Sequence, residues 1–371
     1  MLFIRSESLG APLSGFVPCR CCASTASAAH RIPSIPASSS GRKAKVAKLA
    51  KAARTPESQG ARRIDVHNHI TPPEYVRALG AERLFNGSAG SRRATYEWSP
   101  SMAIEAMDQG GTATAITSVY YSSALAGHPD APRVARACNE YAAGLARDYA
   151  GRFGHFAMLP MPDVDASLEE IAYAFDVLKL DGVEMCTSYG RRWLGDDALT
   201  PVFEELNRRK AIVYTHPHEP AFVENLIPGV PGSTIEFCTD TARTIASLVF
   251  SGTASRFPEV RFIFSHGGGV MPFIVERFIR LGQRKDFAAK LPRGALVELK
   301  KFYYEVAQAA HPGALAALTR LMPISRILFG TDFPYRSAVE IGKGLVKFGL
   351  DQRALHAINR GNALKLFPHF S

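Results

Sequence analysis

The 371-residue sequence contains no apolar run long enough to cross a membrane. Its longest stretch without Asp, Glu, Lys or Arg runs from Gln109 to Pro129 and is interrupted by glycine, threonine, serine and histidine. A membrane-spanning helix needs about 20 predominantly apolar residues. Hydrophobic residues make up 46% of the chain and charged residues 21%. This composition is typical of a globular protein and excludes collagen-like and wholly disordered chains.

Cysteine is scarce and irregularly spaced. Three of the six cysteines lie near the start of the chain, and the others are scattered through the rest: Cys19, Cys21, Cys22, Cys138, Cys186 and Cys238. Disulfide frameworks are typical of short secreted chains, and zinc ribbons need a pair of Cys-x-x-Cys motifs, which this sequence lacks. We therefore expect reduced cysteines and an intracellular protein.

Acidic side chains are nearly missing from residues 1–60. This segment carries nine Lys or Arg and two Glu, a net charge of +7, which leaves +3 of the formal +10 for the remainder. Because the body is nearly neutral, we expect neither nucleic acid nor a membrane as a partner. The Ser-, Ala- and Pro-rich leader resembles a mitochondrial or plastid transit peptide, and a disordered tail or a start codon assigned too early explains it equally well. The expected location is the cytoplasm, or an organelle if the leader is a transit peptide.

Residues 61–371 alternate eight apolar or β-branched runs with amphipathic segments. The runs are Ile64–Ile70, Thr112–Tyr120, Phe153–Pro160, Gly182–Tyr189, Ala211–His218, Val260–Gly269, Phe302–Gln308 and Arg326–Tyr335. Helical segments follow them, among them Thr234–Ser255 and Met271–Leu281. Apolar runs that alternate with helices predict parallel strands covered on both faces. Eight repeats fit a doubly wound sheet or a (β/α)8 barrel.

Two observations favour the barrel. No G-x-G-x-x-G motif follows the first run, and polar residues end the first, fifth, sixth and eighth runs. Those strand ends converge at one mouth in a barrel but not in an open sheet. We predict an α/β fold, a (β/α)8 TIM barrel in a single domain, with extra C-terminal helices. The long stretch Glu74–Trp98 predicts a small insertion after the first strand that partly covers the mouth.

Histidines and an aspartate mark those strand ends. His67 and His69 stand two residues apart on the first strand, so both imidazoles project from the same face. His216 ends the fifth strand and His266 the sixth, and Asp332 follows the eighth. Imidazole and carboxylate are ligands suited to zinc, manganese or iron, and a catalytic site of this kind keeps one position open.

Four motifs in this order, RIDVHNHITPPEY, YTHPHEP, FIFSHGGGVMPF and ILFGTDFPY, resemble the amidohydrolase superfamily. Within it, the chain is similar to the branch of aminocarboxymuconate-semialdehyde decarboxylase and 6-methylsalicylate decarboxylase, over residues 62–368. The resemblance implies that His67, His69, His216 and Asp332 bind a metal and that His266 acts as the acid–base group. Binuclear members use a lysine at the end of strand four, where this chain reads GVEMCTSY. One divalent metal ion is therefore expected, zinc first and manganese as the alternative.

The resemblance implies non-oxidative decarboxylation of a small aromatic or unsaturated carboxylic acid. The alternative on the same scaffold is a hydrolase that opens a lactone or amide. A non-catalytic barrel whose basic tail binds an acidic partner or a membrane surface is a third hypothesis, but all four ligand positions are filled. Decarboxylation needs a proton at the carbon that loses the carboxylate, and His266 and Asp332 both remain candidates for delivering it.

Several residues are candidates for contacts with the substrate or for structural roles. The resemblance implies that Arg277 reaches the site of a neighbouring subunit, which would make the enzyme a homodimer or a larger homo-oligomer. Arg92 and Arg93, in the predicted insertion, are further candidate contacts for the substrate carboxylate. His218 shares a face with His216 and is expected to face the substrate or support a ligand. Asp65 and Glu184 are expected to be structural, Glu184 as an ion-paired carboxylate.

Overall fold

The computed structural model of this protein describes residues 62–80, 98–119, 122–223 and 226–371. These residues belong to one compact unit, Ala52–Ser371. The predicted leader, residues 1–60, lies outside the described residues, as do residues 81–97 of the predicted insertion. No described helix is both long enough and apolar enough to span a bilayer.

Eight parallel strands form one sheet in sequence order. They are β1 Arg63–Ile70, β2 Thr112–Val119, β3 Phe153–Met158, β4 Gly182–Cys186, β5 Ile212–His216, β6 Arg261–Phe264, β7 Tyr303–Glu305 and β8 Ile327–Leu328. The sheet closes because backbone N–H groups of β1 donate to the chain after β8, from Val66 to Phe329 at 3.0 Å and from His69 to Phe333 at 2.9 Å. The predicted (β/α)8 barrel is confirmed.

Helices fill the connections and the carboxyl end of the chain. They are α1 Pro73–Leu79, α2 Pro100–Gln109, α3 Ala131–Asp148, α4 Val164–Asp176, α5 Thr200–Arg208, α6 Gly232–Ser251, α7 Thr253–Arg256, α8 Val275–Gly282, α9 Lys285–Ala288, α10 Ala295–Leu299, α11 Pro312–Leu321, α12 Ala338–Phe348, α13 Gln352–His356 and α14 Asn362–Leu366. Short 3₁₀ turns cover Ser122–Leu125, Asp197–Leu199, Ala221–Val223, His266–Gly268, Met271–Ile274, Ile324–Arg326 and Pro368–Phe370, and a π-helical turn covers Ala357–Gly361. A two-stranded antiparallel hairpin, Ser188–Tyr189 with Arg192–Trp193, follows β4.

Local sequence signals explain where several helices begin. The Ser99 hydroxyl accepts a hydrogen bond from the backbone N–H of Met102, and the carboxylate of Asp163 accepts one from Ala166. Such N-terminal caps satisfy donors that have no partner within the helix. Proline occupies the first helical turn of α2, α5 and α11, where its missing N–H costs no hydrogen bond.

The core has an outer layer between strands and helices and an inner layer inside the barrel. The inner layer includes Ile64, Ile116, Phe156, Ile212, Tyr214, Ile263 and Leu328, together with Ala363, Leu366 and Phe367 from the C-terminal segment. That segment also forms hydrogen bonds at the amino-terminal ends of β1 and β8. Arg360 donates to the carbonyl of Arg62, and Asn362 donates to that of Ile327. The extra helices therefore close the amino-terminal end of the barrel and leave the catalytic end to the loops after the strands.

Candidate active site

Four of the predicted site residues lie together at the carboxyl ends of the strands. His67, His69, His216 and Asp332 each offer a ligand atom, and these atoms lie within 4.8 Å of one another. The Asp332 Oδ1 atom is 3.2 Å from the Nε2 atom of His67 and 3.3 Å from that of His69. Three imidazoles and one carboxylate at this spacing could hold a divalent metal ion of the zinc or manganese type.

The hydrogen bonding and charge of this group fit a cation. The Nε2 atom of His216 is buried and has no hydrogen-bond partner among the described residues. Burial lowers the pKa of His216 well below its usual value and also lowers the pKa of His69, which favours the neutral form that binds metals. For His67 the effect of burial is outweighed by Glu305 and Asp332, which raise its pKa to about 10. The two carboxylates thus favour positive charge at this point.

A β-bulge on β1 helps to aim the two histidines. The register with β2 slips between Asp65 and Asn68, so β1 carries an extra residue there. The Asp65 carboxylate accepts hydrogen bonds from the backbone N–H of His67 at 3.1 Å and from the amide of Asn68 at 3.1 Å. It also accepts one from the Thr331 hydroxyl at 2.6 Å. Asp65 therefore joins the first and last strand ends.

His266 and Asp332 share an unusual backbone conformation. Their φ angles are +54° and +67°, in the left-handed region that costs energy for residues other than glycine. The His266 Nε2 atom lies 3.5 Å from the Asp332 Oδ2 atom, too far for a normal hydrogen bond. The Gln308 amide donates to the same Oδ2 atom at 3.0 Å. Burial would raise the pKa of Asp332, but His67, His266 and His69 together hold it well below its usual range.

Glu305 is a site residue that the sequence reasoning missed. It is fully buried at the end of β7, and its Oε1 atom lies 2.9 Å from the Nδ1 atom of His67. It also accepts backbone N–H bonds from His266 and Ala307, both at 2.6 Å. Glu305, His67 and His266 form a second group with metal-ligand spacing. Because the Glu305 oxygens already accept three N–H donors, the group that contains His216 is the better candidate for a metal.

Glu184 on β4 differs from the expectation of an ion-paired carboxylate. Within the described part of the chain it forms no ion pair. It accepts hydrogen bonds from the Ser122 hydroxyl at 2.9 Å and the Val119 N–H at 3.2 Å, both near the end of β2. Burial raises its pKa to about 8. Glu184 therefore has two neutral hydrogen-bond donors in place of the expected cation. Burial favours its protonated, uncharged form.

Of the predicted substrate contacts, the structure describes Arg277 and His218. Arg277 is exposed on α8 and has no hydrogen bond or ion pair with any described residue. His218 is half-buried two residues past His216. Its Nδ1 atom has no described partner, and desolvation lowers its pKa. Arg92 and Arg93 lie outside the described residues.

A (β/α)8 barrel with these histidines and this aspartate at its mouth has the architecture of a metal-dependent enzyme. The amidohydrolase family model matches residues 64–369, and the chain belongs to this family. Decarboxylase yanB from Aspergillus niger is 36% identical over 327 residues, which cover 83% of this chain and 88% of that protein. The 6-methylsalicylic acid decarboxylase of Penicillium expansum is 30% identical over 318 residues, which cover 82% and 96%.

The fold of this chain is similar to that of a solved structure. The dihydroxybenzoic acid decarboxylase from Polaromonas sp. JS666, with bound manganese and the inhibitor 2-nitroresorcinol, has a TM-score of 0.72 at 22% identity, with 82% of this chain and 96% of that chain covered. The relatives confirm the prediction that this chain is a carboxy-lyase of the amidohydrolase superfamily. The hydrolase alternative is not supported.

Proposed function

We propose that this protein is a mononuclear, metal-dependent, non-oxidative decarboxylase whose substrate is a small aromatic carboxylic acid of the 6-methylsalicylate type. The observation that carries the proposal is the group of three imidazoles and one carboxylate at the strand ends, in a chain whose relatives are named decarboxylases. A muconate semialdehyde acid is the alternative substrate class.

His67, His69, His216 and Asp332 are the proposed ligands of one divalent ion. Zinc is the first candidate because three of the four ligands are imidazoles, and manganese is the alternative. β4 ends in Cys186 and offers no lysine to bridge a second ion. When bound, the ion would hold the substrate carboxylate together with its neighbouring oxygen and stabilise the negative charge that develops.

His266 is the proposed proton donor. In the reaction the bond between the ring carbon and the carboxylate carbon breaks, CO2 leaves, and a proton takes its place on the ring carbon. The His266 Nε2 atom is buried without a hydrogen-bond partner among the described residues, so it is free to face a substrate. Asp332 is the alternative donor, but its Oδ2 atom accepts the Gln308 amide and its pKa lies well below the usual range. Both features keep it in the carboxylate form.

Arg277, His218 and Arg93 are the proposed substrate-binding residues, and Arg277 is proposed to act on a second copy of the chain. Large apolar side chains are exposed in the segments after β5 and β6, with exposed fractions of 41% for Phe222, 62% for Leu226 and 71% for Phe273. Apolar exposure of this kind is typical of interfaces between proteins. It supports a homodimer formed at the catalytic end of the barrel.

The experiment that tests this function measures CO2 release by the purified full chain from a panel of hydroxybenzoic and muconic acids in D2O. We expect CO2 from 2-hydroxybenzoic acids and one deuterium at the ring carbon that carried the carboxylate. Turnover of lactones or amides without CO2 would contradict the proposal.

A further inference from the structure

We propose that Glu305 is a positioning residue that fixes the His67 ring so that its Nε2 atom is the one presented to the metal. The inference rests on the proposed metal centre. A neutral imidazole carries its proton on one nitrogen and binds metals through the other. The Nδ1 atom of His67 lies 2.9 Å from Glu305 Oε1, and its Nε2 atom faces Asp332 Oδ1 at 3.2 Å. Asp332 belongs to the proposed ligand group, so Nε2 is on the metal side of the ring. The proton therefore belongs on Nδ1, where the Glu305 carboxylate accepts it.

Glu305 also ties the ligand strand to the strand of the proton donor. Its Oε1 atom accepts both His67 Nδ1 and the backbone N–H of His266, while its Oε2 atom accepts the N–H of Ala307. One side chain thus fixes the ring of a proposed ligand and the backbone of the proposed acid. The positive φ of His266 is held in part by this bond.

The neighbouring strand leaves room for this carboxylate. A Cβ atom on Gly330 would lie 2.1 Å from Glu305 Oε2 and 3.0 Å from the Cβ atom of His67. Real Cβ atoms do not approach other atoms so closely. A side chain at position 330 would therefore displace the Glu305 carboxylate from its contacts with His67, His266 and Ala307, so Gly330 belongs to the same arrangement.

The substitution Glu305→Gln keeps the size of the side chain but breaks the pattern of acceptors. A carboxamide has one acceptor oxygen and one donor nitrogen. If the oxygen faces His67 and His266, the NH2 group meets the N–H of Ala307. If the amide flips, the NH2 group meets Nδ1 of His67 and drives its proton to Nε2, where the metal should bind.

The test measures the affinity of metal-free protein for Zn²⁺ by competition with a chromogenic chelator. We expect Glu305→Gln to bind zinc about 10–100-fold more weakly than the unchanged chain. Glu170→Gln is the matched control, because Glu170 is also buried but binds Arg136 and Asn139 on α3, outside the barrel. The control should bind zinc as the unchanged chain does. A zinc affinity of Glu305→Gln equal to that of the control would overturn the inference.

A second measurement needs no variant and stands if Glu305→Gln does not fold. In the zinc-loaded, ¹⁵N-histidine-labelled chain, His67 should show a protonated Nδ1 and a metal-bound Nε2 in its ¹⁵N chemical shifts. Binding through Nδ1 would contradict the role of Glu305. If the unchanged chain binds no zinc or manganese, the proposed metal centre itself is wrong, so the two failures can be told apart.

Discussion

At the scale of single residues, His266 is the side chain on which the proposed chemistry depends. We expect His266→Ala to lower kcat for CO2 release about 10²–10⁴-fold, the range of a lost general acid. Metal content should stay unchanged, because His266 is not one of the proposed ligands. Equal metal content by mass spectrometry combined with lost activity supports this role. Full activity in the variant would assign the proton to Asp332.

Glu184 predicts a dependence of stability on pH. Burial raises its pKa from the usual 4.5 to about 8, so the native protein holds this proton more tightly than the unfolded chain does. Its stabilising contribution is complete below pH 4.5 and is lost as the pH rises through 8. When the pH is raised from 5 to 8, the free energy of unfolding of Glu184→Gln should therefore rise relative to that of the unchanged chain, by on the order of 1–3 kcal/mol. Unfolding in urea at both pH values measures this change.

The exposed Glu259 provides the control for that experiment. The free energy of unfolding of Glu259→Gln should match that of the unchanged chain at both pH values, because the Glu259 side chain is exposed to water in the native protein. A Glu184→Gln difference that is the same at pH 5 and pH 8 would rule out a buried proton on Glu184.

The sequence was sufficient to predict the proposed metal ligands but not Glu305, the residue that holds one of them in place. His67 and His69 are visible because two residues on a strand share a face, and His216, His266 and Asp332 because they end strands. Glu305 was missed because its role depends on a contact with His67 at a sequence separation of 238 residues. The only local signal was an acidic residue ending an otherwise apolar strand.

At the scale of elements, the seam between β1 and the end of β8 holds the barrel closed. Thr331 donates its hydroxyl to Asp65 at 2.6 Å and accepts the N–H of Phe333 at 3.0 Å. Thr331→Val keeps the shape but removes both hydrogen bonds and leaves the Phe333 N–H without its acceptor. We expect a loss of about 1–3 kcal/mol in the free energy of unfolding. Denaturant unfolding measures it.

Thr319→Val is the matched control, since among the described residues the Thr319 hydroxyl bonds only the carbonyl of Leu315, one turn back on the same helix. That substitution should leave the unfolding free energy nearly unchanged. Equal effects of the two substitutions would show that the hydroxyl of Thr331 does not stabilise the seam.

Element types were predictable from the apolar periodicity, whereas several boundaries were not. The predicted helix Thr234–Ser255 is divided at Gly252, whose φ of +86° ends α6. The predicted helix Met271–Leu281 begins as a 3₁₀ turn before α8. The run Arg326–Tyr335 forms a regular strand only at Ile327–Leu328, because the following backbone bends to bind β1. The apolar periodicity predicts the type of each element but does not mark where it is interrupted.

At the scale of the whole molecule, the proposed homodimer makes a prediction about mixed subunits. Arg277→Ala and His266→Ala should each be inactive alone. If Arg277 acts across the interface, refolding an equal mixture should restore about a quarter of the unchanged activity, because half of the dimers are mixed and each has one complete site. No recovery from the mixture would place Arg277 in the site of its own subunit, and full activity of Arg277→Ala alone would place it outside the reaction.

The central claim is that one metal ion, held by His67, His69, His216 and Asp332, is needed for decarboxylation. The most direct test titrates Zn²⁺ or Mn²⁺ into metal-free full chain and measures CO2 release from a 2-hydroxybenzoic acid. We expect activity to rise linearly and to saturate at about one equivalent of metal per chain. Substitution of His216 by Ala should abolish both binding and activity. CO2 release by the metal-free chain, or saturation at two equivalents, would contradict the account.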